Sequence, residues 1–589
     1  MNQELPREKA SLAVLGMTLL LAYLIVPALA AGLPSRDRLL AVLGAPRPTE
    51  EEISEMEKGW QQIAASEEPS KVIVGTNALS SNEPPQKDYF RILRRMCLYT
   101  TEPDEMQTLL ALGRMRPLSF DFDPHLYQYG GFMIYGCGFA VGIGGLLGLV
   151  PLRGGLARLL EDPSYVASTY IFARMWPLFF SLLLPVGAYR LARQMTDRRA
   201  ALLVAFASLW MPGFVHHAPV LKPQSMATTL GLFALASSLR AHRRPSARTH
   251  LRAGALHGLL VGTMFTHGVL YLAHLAGMFP LARREPKTAF RLAVLSAAAA
   301  AGVFVLTNPY WILSFRGMLE DMRLTSRWYP PNPTLPRLVT LMTSTIPIGL
   351  GGFVWTAALA GIPLAVWKGK AEERTLAFAF LVLLGFYAYR TSGTNLSGVW
   401  GRNFFLLGPL GISLLVSSIR TWRFFSSRTG ILALLGAFLV LAAPRTILAA
   451  ANLHAEATTE STRFLAGEWI ERHSPSGTRI YTASGSPAPY AAPFVAMQRY
   501  SLIDFDTGAS PDPSDIVVVV RYENEVIERL RTMGWIPIHR IPARRTIGCL
   551  GPLETQESEY AAANPTITIW ASASRPVLAR QNEGADLSP

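Results

Sequence analysis

Apolar runs recur along most of this chain, at residues 11–32, 131–150, 164–189, 200–214, 223–240, 253–281, 289–307, 338–367, 375–389, 403–419 and 429–449. Backbone inside hydrocarbon must satisfy its own hydrogen bonds, so such runs fold as helices that cross or enter a bilayer. Composition agrees: only 16% of the 589 residues are charged, against about a quarter in ordinary soluble domains. The net charge of +14 reads as membrane topology and not as affinity for nucleic acid, because Arg and Lys gather in short loops between the runs.

Those loops set the orientation. Arg190, Arg193, Arg198 and Arg199 mark one cytoplasmic turn, and Arg240, Arg243, Arg244, Arg248 and Arg252 another. Arg283, Arg284 and Lys287, then Lys368 and Lys370, then Arg420, Arg423 and Arg428 mark three more. Run 253–281 has basic loops at both ends, so it is expected to cross twice, bending near Thr266-His267-Gly268. A crossing by run 131–150 would move the Arg190–Arg199 turn outside, so this Gly-rich run is read as a helix in the outer leaflet. The first run is long for a signal core, although Ala28-Leu29-Ala30 resembles a cleavage site, and it is read as a retained helix. The expected fold class is therefore a polytopic α-helical membrane protein with about eleven crossings, N-terminus inside and C-terminus outside.

The domains expected are a first transmembrane helix (1–33), a long extracytoplasmic loop (34–163), a transmembrane bundle (164–450), a small extracytoplasmic α/β domain (455–580) and a disordered tail (581–589). The α/β reading rests on strand-like runs at 479–482, 516–520, 536–541 and 566–570, alternating with helical patterns at 460–473 and 523–533. Cys97, Cys137 and Cys549 match no metal-ligand spacing and read as unpaired thiols, the alternative being one pair outside the membrane.

Segments 34–163, 216–223, 308–336 and 390–402 converge on the outer face. In the first of these, Lys87, Arg91, Arg94 and Arg95 lie opposite Tyr89, Leu93, Met96 and Cys97, the pattern of a helix lying among lipid phosphates. The acidic pair Asp104 and Glu105 stands in the polar stretch Glu102-Pro103-Asp104-Glu105. Two readings are open for it: charge favoured at the N-terminus of a predicted helix 106–115, or reactive carboxylates beside the membrane. Arg174 lies inside an apolar run and must face protein or water, in an ion pair or a functional role. His216 and His217 form no ligand pattern, no divalent metal or other cofactor is expected, and Asn395-Leu396-Ser397 reads as a chance glycosylation sequon.

Glu102-Pro103-Asp104-Glu105, the predicted helix ending Arg114-Met115-Arg116-Pro117, and the stretch Phe122-Asp123-Pro124-His125-Leu126-Tyr127-Gln128-Tyr129-Gly130-Gly131 resemble the first external loop of GT-C glycosyltransferases. The nearest branch resembled is that of the dolichyl-phosphate-mannose protein mannosyltransferases and the bacterial phospholipid-carrier-dependent glycosyltransferases. Lys222-Pro223, Thr307-Asn308-Pro309-Tyr310 and Arg402-Asn403-Phe404 extend the likeness over about residues 11–420. The chain departs from the pattern in its long first loop, in Glu102 where His is frequent, and in Gln224 where many relatives carry an acid.

The resemblance implies a GT-C-like fold and inverting transfer of a sugar from a polyprenyl-phosphate carrier to a lipid, glycan or protein acceptor outside the membrane. Asp104 is then the base and Glu105 its neighbour. Lys222 and Arg402, with Arg390 and His267 behind them, are the candidates for the donor phosphate, the alternative for Lys222 and Arg402 being an anchor at the membrane interface; Tyr127 and Tyr129, with His125, are those for the sugar or acceptor, the alternative for the two tyrosines being an aromatic belt at the interface. Competing classes are a transporter or lipid flippase and a catalytically silent scaffold. The scarcity of acids within the apolar runs and the lack of a repeat count against a transporter.

Overall fold

A computed structural model describes residues 5–65, 85–102, 104–152, 155–393, 401–419, 427–483, 489, 492–505, 511–520, 524–543 and 564–574. Cys549, the sequon at Asn395 and the tail 581–589 lie outside the described residues.

The chain is a helical membrane protein. Among the described residues, four helices are long and apolar enough to cross a bilayer: Arg7–Ala30, Pro163–Ala192, Pro286–Thr307 and Gly401–Ile419. Two bent pairs raise the number to six, Leu335–Leu350 with Gly352–Lys368 and Thr429–Leu441 with Ala443–Glu456. The remaining five expected crossings correspond to helices that are shorter or more polar, namely Arg198–Ala207, Pro223–Arg243, Ala247–Thr263, the short pair Tyr271–Gly277 with Phe279–Arg284, and Ala371–Thr391.

Run 338–367 is not one straight helix. The chain turns by 117° at Gly351, whose φ of +82° lies in the left-handed region that residues with a Cβ rarely adopt. Apolar composition continues across the bend and so conceals it. Run 253–281 does break where expected: the helix stops at Thr263, a 3-10 segment runs Phe265–Leu270, and short helices Tyr271–Gly277 and Phe279–Arg284 follow. In run 131–150 the helix Gly131–Leu146 has 16 residues. At 1.5 Å per residue that is about 24 Å, less than the roughly 30 Å of a hydrocarbon core. It lies against Pro163–Leu182, where Gly136 and Gly144 leave room for the Trp176 and Phe172 rings.

Small residues also let two helices meet backbone to backbone. A Cβ at Gly254 or Gly258 would stand 2.0 Å from the Ser296 carbonyl oxygen or 2.3 Å from that of Ala300. This seam of glycines four apart replaces the hydrophobic effect, which does not operate between helices in lipid. Gly258→Leu is expected to force the pair apart at a cost of about 1–3 kcal/mol. Thermal melting in detergent checks this, and an unchanged midpoint would count against the seam.

Helix Pro85–Leu98 does not lie on lipid through Arg94 and Arg95, which are 5% and 2% exposed. The side chain of Lys87 lies outside the described residues. The amphipathic pattern is real, but its covering partner comes from the same loop: helix Glu50–Ala65 packs on it, and Gly59 leaves space for the Arg94 guanidinium. Arg38, from helix Arg36–Leu43, donates to the carbonyls of Met96 and Tyr99 and so satisfies groups that a helix C-terminus leaves open.

Among the described residues the C-terminal segment forms a five-stranded sheet: β1 (Arg479–Ala483), β2 (Ser501–Asp504), β3 (Ile516–Val519), β4 (Trp535–Ile541) and β5 (Ile567–Ser572). Strand order is β2-β1-β3-β5-β4, with β1 parallel to β2 and β3, and β5 antiparallel to β3 and β4. The four residues of β3 are all buried, as suits a central strand. Helices Thr462–His473 and Asn524–Thr532 flank the sheet. The sheet is tied to the bundle through Glu456, which pairs with Arg463 at 2.9 Å and accepts the Asn564 N–H at 2.7 Å.

Candidate active site

Asp104 occupies the N-cap position of helix Glu105–Arg114, yet its side chain caps no backbone N–H. Its Oδ2 turns instead to Lys222 Nζ at 2.9 Å and Arg402 Nη2 at 3.5 Å. Lys222 also forms an ion pair with Glu102. Lys222 begins helix Pro223–Arg243, and Arg402 sits in the 3-10 turn Gly401–Phe404 at the head of a span. Helix N-termini repel cations, so both depend on the carboxylates facing them. Both cations are buried, whereas the Asp104 side chain keeps 30% of its surface open.

Burial alone would raise the Asp104 carboxyl, but Lys222 and Arg402 outweigh it and hold the group down at about 2. The native value lies below the roughly 3.9 of an unfolded Asp. The stabilisation from this ion cluster is therefore complete above about pH 4 and is lost as pH falls towards 2. kcat/KM reports the free enzyme, so its pH profile is expected to show no acid limb from Asp104 between pH 7 and about pH 4. A limb near pH 4–5 in the wild type would contradict the cationic clamp.

Glu105 is held differently. It is fully buried and accepts two hydrogen bonds from Arg174, at 2.8 and 2.6 Å. Thr100 Oγ1 donates to it at 2.6 Å and the Leu221 N–H at 2.9 Å. Arg174 spends another N–H on the carbonyls of Leu29 and Ala31, at 2.7 and 3.0 Å. One buried pair thereby joins the end of the first helix, the span Pro163–Ala192, the acidic turn and the loop that carries Lys222.

The other candidates divide between the site and its scaffold. Tyr129 is half-buried and close enough to Asp104 and Arg402 for their charges to act on its phenol. Tyr329 stands beside Arg402, and Arg390 beside Tyr329. Tyr127 belongs to the scaffold: its hydroxyl donates to Asp123 at 2.8 Å, and its backbone N–H donates to Asp321 at 2.7 Å. His125 is exposed, with φ +48°, 3.9 Å from Asp123. His267 is buried behind the site, with Nδ1 3.1 Å from the Tyr387 hydroxyl. Asn308 accepts the Gly131 N–H at 2.6 Å, and the Tyr310 hydroxyl accepts the Phe122 N–H at 2.9 Å, so that motif fastens the loop.

Sequence reasoning missed Glu102 as a partner of Lys222, and Asp321 altogether. A signal for Asp321 exists: Gly317, Met318, Leu324 and Thr325 are its neighbours three and four residues away, so the acid stands on the apolar face of helix Phe315–Trp328. A small cavity of about 20 Å³ lies behind Glu102, walled by Thr101, Arg174, His216, Val220, Leu453 and Glu456. Burial pushes His216 down to about 4, leaving it neutral at pH 7. Among the described residues no group of three or more His, Cys, Asp or Glu is placed to hold a metal ion.

No curated protein matches the chain. Solved structures similar to it include the oligosaccharyltransferase of Archaeoglobus fulgidus in complex with Zn and sulfate, at 17% identity and a TM-score of 0.34 over 59% of this chain and 47% of that one. The chain thus spans about half the length of that enzyme. ArnT from Cupriavidus metallidurans bound to undecaprenyl phosphate is similar at 12% identity and a TM-score of 0.41, over 86% of this chain and 98% of that one. The arabinofuranosyltransferase AftD from Mycobacteria is similar at 13% identity and a TM-score of 0.39, over 85% of this chain and 40% of that one. The family model described as dolichyl-phosphate-mannose-protein mannosyltransferase matches residues 168–312, a segment that contains Lys222-Pro223 and Thr307-Asn308-Pro309-Tyr310. Over that segment the chain resembles the dolichyl-phosphate-mannose-protein mannosyltransferases.

Proposed function

We propose that the protein is an inverting glycosyltransferase that moves a sugar, a hexose, from a polyprenyl-phosphate carrier to a lipid, glycan or protein hydroxyl at the outer membrane surface. The observation that carries this reading is the division of the acidic pair. Glu105 is fully engaged, while Asp104 stays open between two buried cations that suit a phosphate. The likeness of residues 168–312 to a family named for a lipid-phosphate sugar donor supports it.

Glu102, Asp104, Lys222 and Arg402 together carry no net charge. An arriving phosphodiester draws Lys222 and Arg402 towards its oxygens, by charge-assisted hydrogen bonds. Asp104 then loses the charges that depress its basicity. The acceptor hydroxyl attacks the anomeric carbon, its O–C bond forming as the C–O bond to phosphate breaks. Asp104 takes the hydroxyl proton, and the leaving electron pair goes to the phosphate oxygen, where the two cations stabilise it. Displacement in one step inverts the anomeric centre. Tyr129 offers a face for the sugar, and Glu105 with Arg174 are positioning residues for Asp104.

The basic loops support a topology with residues 1–33 as the first crossing, the site on loop 34–163 outside, the bundle at 164–450, and 455–580 outside as a unit that orients the acceptor. Partners are then the lipid-linked sugar, membrane lipids and an acceptor, with no nucleic acid.

The test supplies membranes containing the protein with labelled polyprenyl-phosphate hexoses and follows label into acceptor. Arg402→Gln is expected to raise the KM for donor about 10–100-fold, the worth of one charged hydrogen bond. Transfer from a soluble nucleotide sugar, with none from the lipid donor, would overturn the reading.

A further inference from the structure

A second cavity, of about 190 Å³, lies where the end of helix Pro223–Arg243 and the junction between Tyr271–Gly277 and Phe279–Arg284 meet the starts of Ala247–Thr263 and Ala371–Thr391. Its walls include His242, Arg243, His250, Gly277, Met278 and Glu372. None of these residues belongs to the candidate active site.

Three observations make this cavity more than a packing gap. His250 is fully buried and lines it, yet neither ring nitrogen has a hydrogen-bond partner among the described residues. Buried polar groups left without partners are rare in proteins and call for an explanation. Arg243 spends its Nε on Glu372 at 2.7 Å, which neutralises the carboxylate in the wall and leaves the terminal guanidinium nitrogens for a ligand. The surrounding surface is basic, with Arg244, Arg248, Arg283, Arg284 and Lys287 exposed against the one exposed acid Glu285 in the same loops. Gly277 permits the arrangement, since a Cβ there would stand 2.1 Å from the His242 ring.

An imidazole with a free donor, a guanidinium edge and a positive rim, set between apolar walls at the end of a helix bundle, is the chemistry of a phosphate site. We propose that this cavity binds a phosphate group, held by Arg243 and His250, at the end of the bundle that carries the basic loops. A phospholipid headgroup and a free phosphate share this chemistry.

The experiment uses the full chain in detergent and measures retained ligand by native mass spectrometry. Inorganic phosphate is the first probe, phosphatidylglycerol the second, and diacylglycerol, which has no phosphate, the control. Wild type is expected to retain one of the two phosphate probes, with at least tenfold weaker retention in Arg243→Gln and in His250→Leu. Retention of the lipid alone identifies a headgroup site, and retention of inorganic phosphate identifies a soluble ligand. Arg283→Gln, on the same basic surface outside the cavity, is expected to bind as wild type. Arg243 is half-exposed, so Arg243→Gln remains decisive if His250→Leu does not fold. Equal retention by wild type and variants, retention of diacylglycerol equal to that of phosphatidylglycerol, an equal loss in Arg283→Gln, or no retention of either phosphate probe overturns the proposal.

Discussion

Asp104→Asn is expected to lower sugar transfer about 10²–10⁴-fold, the range that a positioned general base contributes, while the protein folds and binds donor. The substitution keeps the shape of the side chain and removes only its capacity to accept a proton. Lys222 is not orphaned by it, because Glu102 remains as its ion-pair partner. Arg402 stays buried beside Tyr129 and Tyr329. Removing one negative charge from a cluster of two acids and two bases makes the site more attractive to a phosphate. The KM for donor should therefore hold or fall while kcat collapses, the signature of an interaction needed in the transition state and not in the ground state. A purely structural Asp104 would give the opposite pattern, with a lower melting midpoint and weaker binding. Wild-type rates in the Asn variant would refute the assignment of Asp104 as the base, whereas no transfer by either protein would favour a silent scaffold.

How far the sequence foretold this site varies from one residue to the next. Apolar runs located most of the helices because hydrophobicity is a local property. The bend at Gly351 escaped, since its cause is one backbone angle inside an unbroken apolar run. Four of the five strands were legible as β-branched runs, but β2, Ser501-Leu502-Ile503-Asp504, is too short to show alternation. For helix Pro85–Leu98 the pattern disclosed an apolar face and a basic face but not what would cover them. The motif drew attention to both Asp104 and Glu105. Telling them apart needed Arg174, 69 residues further on, whose place inside an apolar run demanded some partner without naming it. Glu102 looked like a departure from a pattern until Lys222, 120 residues away, was seen to rest on it.

That division of labour can be tested on the buried pair itself. Arg174→Met leaves Glu105 buried with only Thr100 and the Leu221 N–H as donors, and an uncompensated buried charge of this kind costs about 3–5 kcal/mol. Glu105→Met should be comparably damaging, because the guanidinium then loses its only ionic partner among the described residues while still holding the carbonyls of Leu29 and Ala31. Replacing both partners removes both charges together, and such exchanges are often close to neutral. The double variant Arg174→Met with Glu105→Met is therefore expected to melt well above either single variant. Its rate of transfer separates the two roles open to Glu105. If Glu105 only positions Asp104, restored packing brings back a substantial fraction of activity along with stability. A double variant that folds as wild type and stays as inactive as Asp104→Asn would show that the Glu105 carboxylate takes part in the chemistry. The mechanism would then need both carboxylates, and the bonds between Glu105 and Arg174 would have to open during turnover.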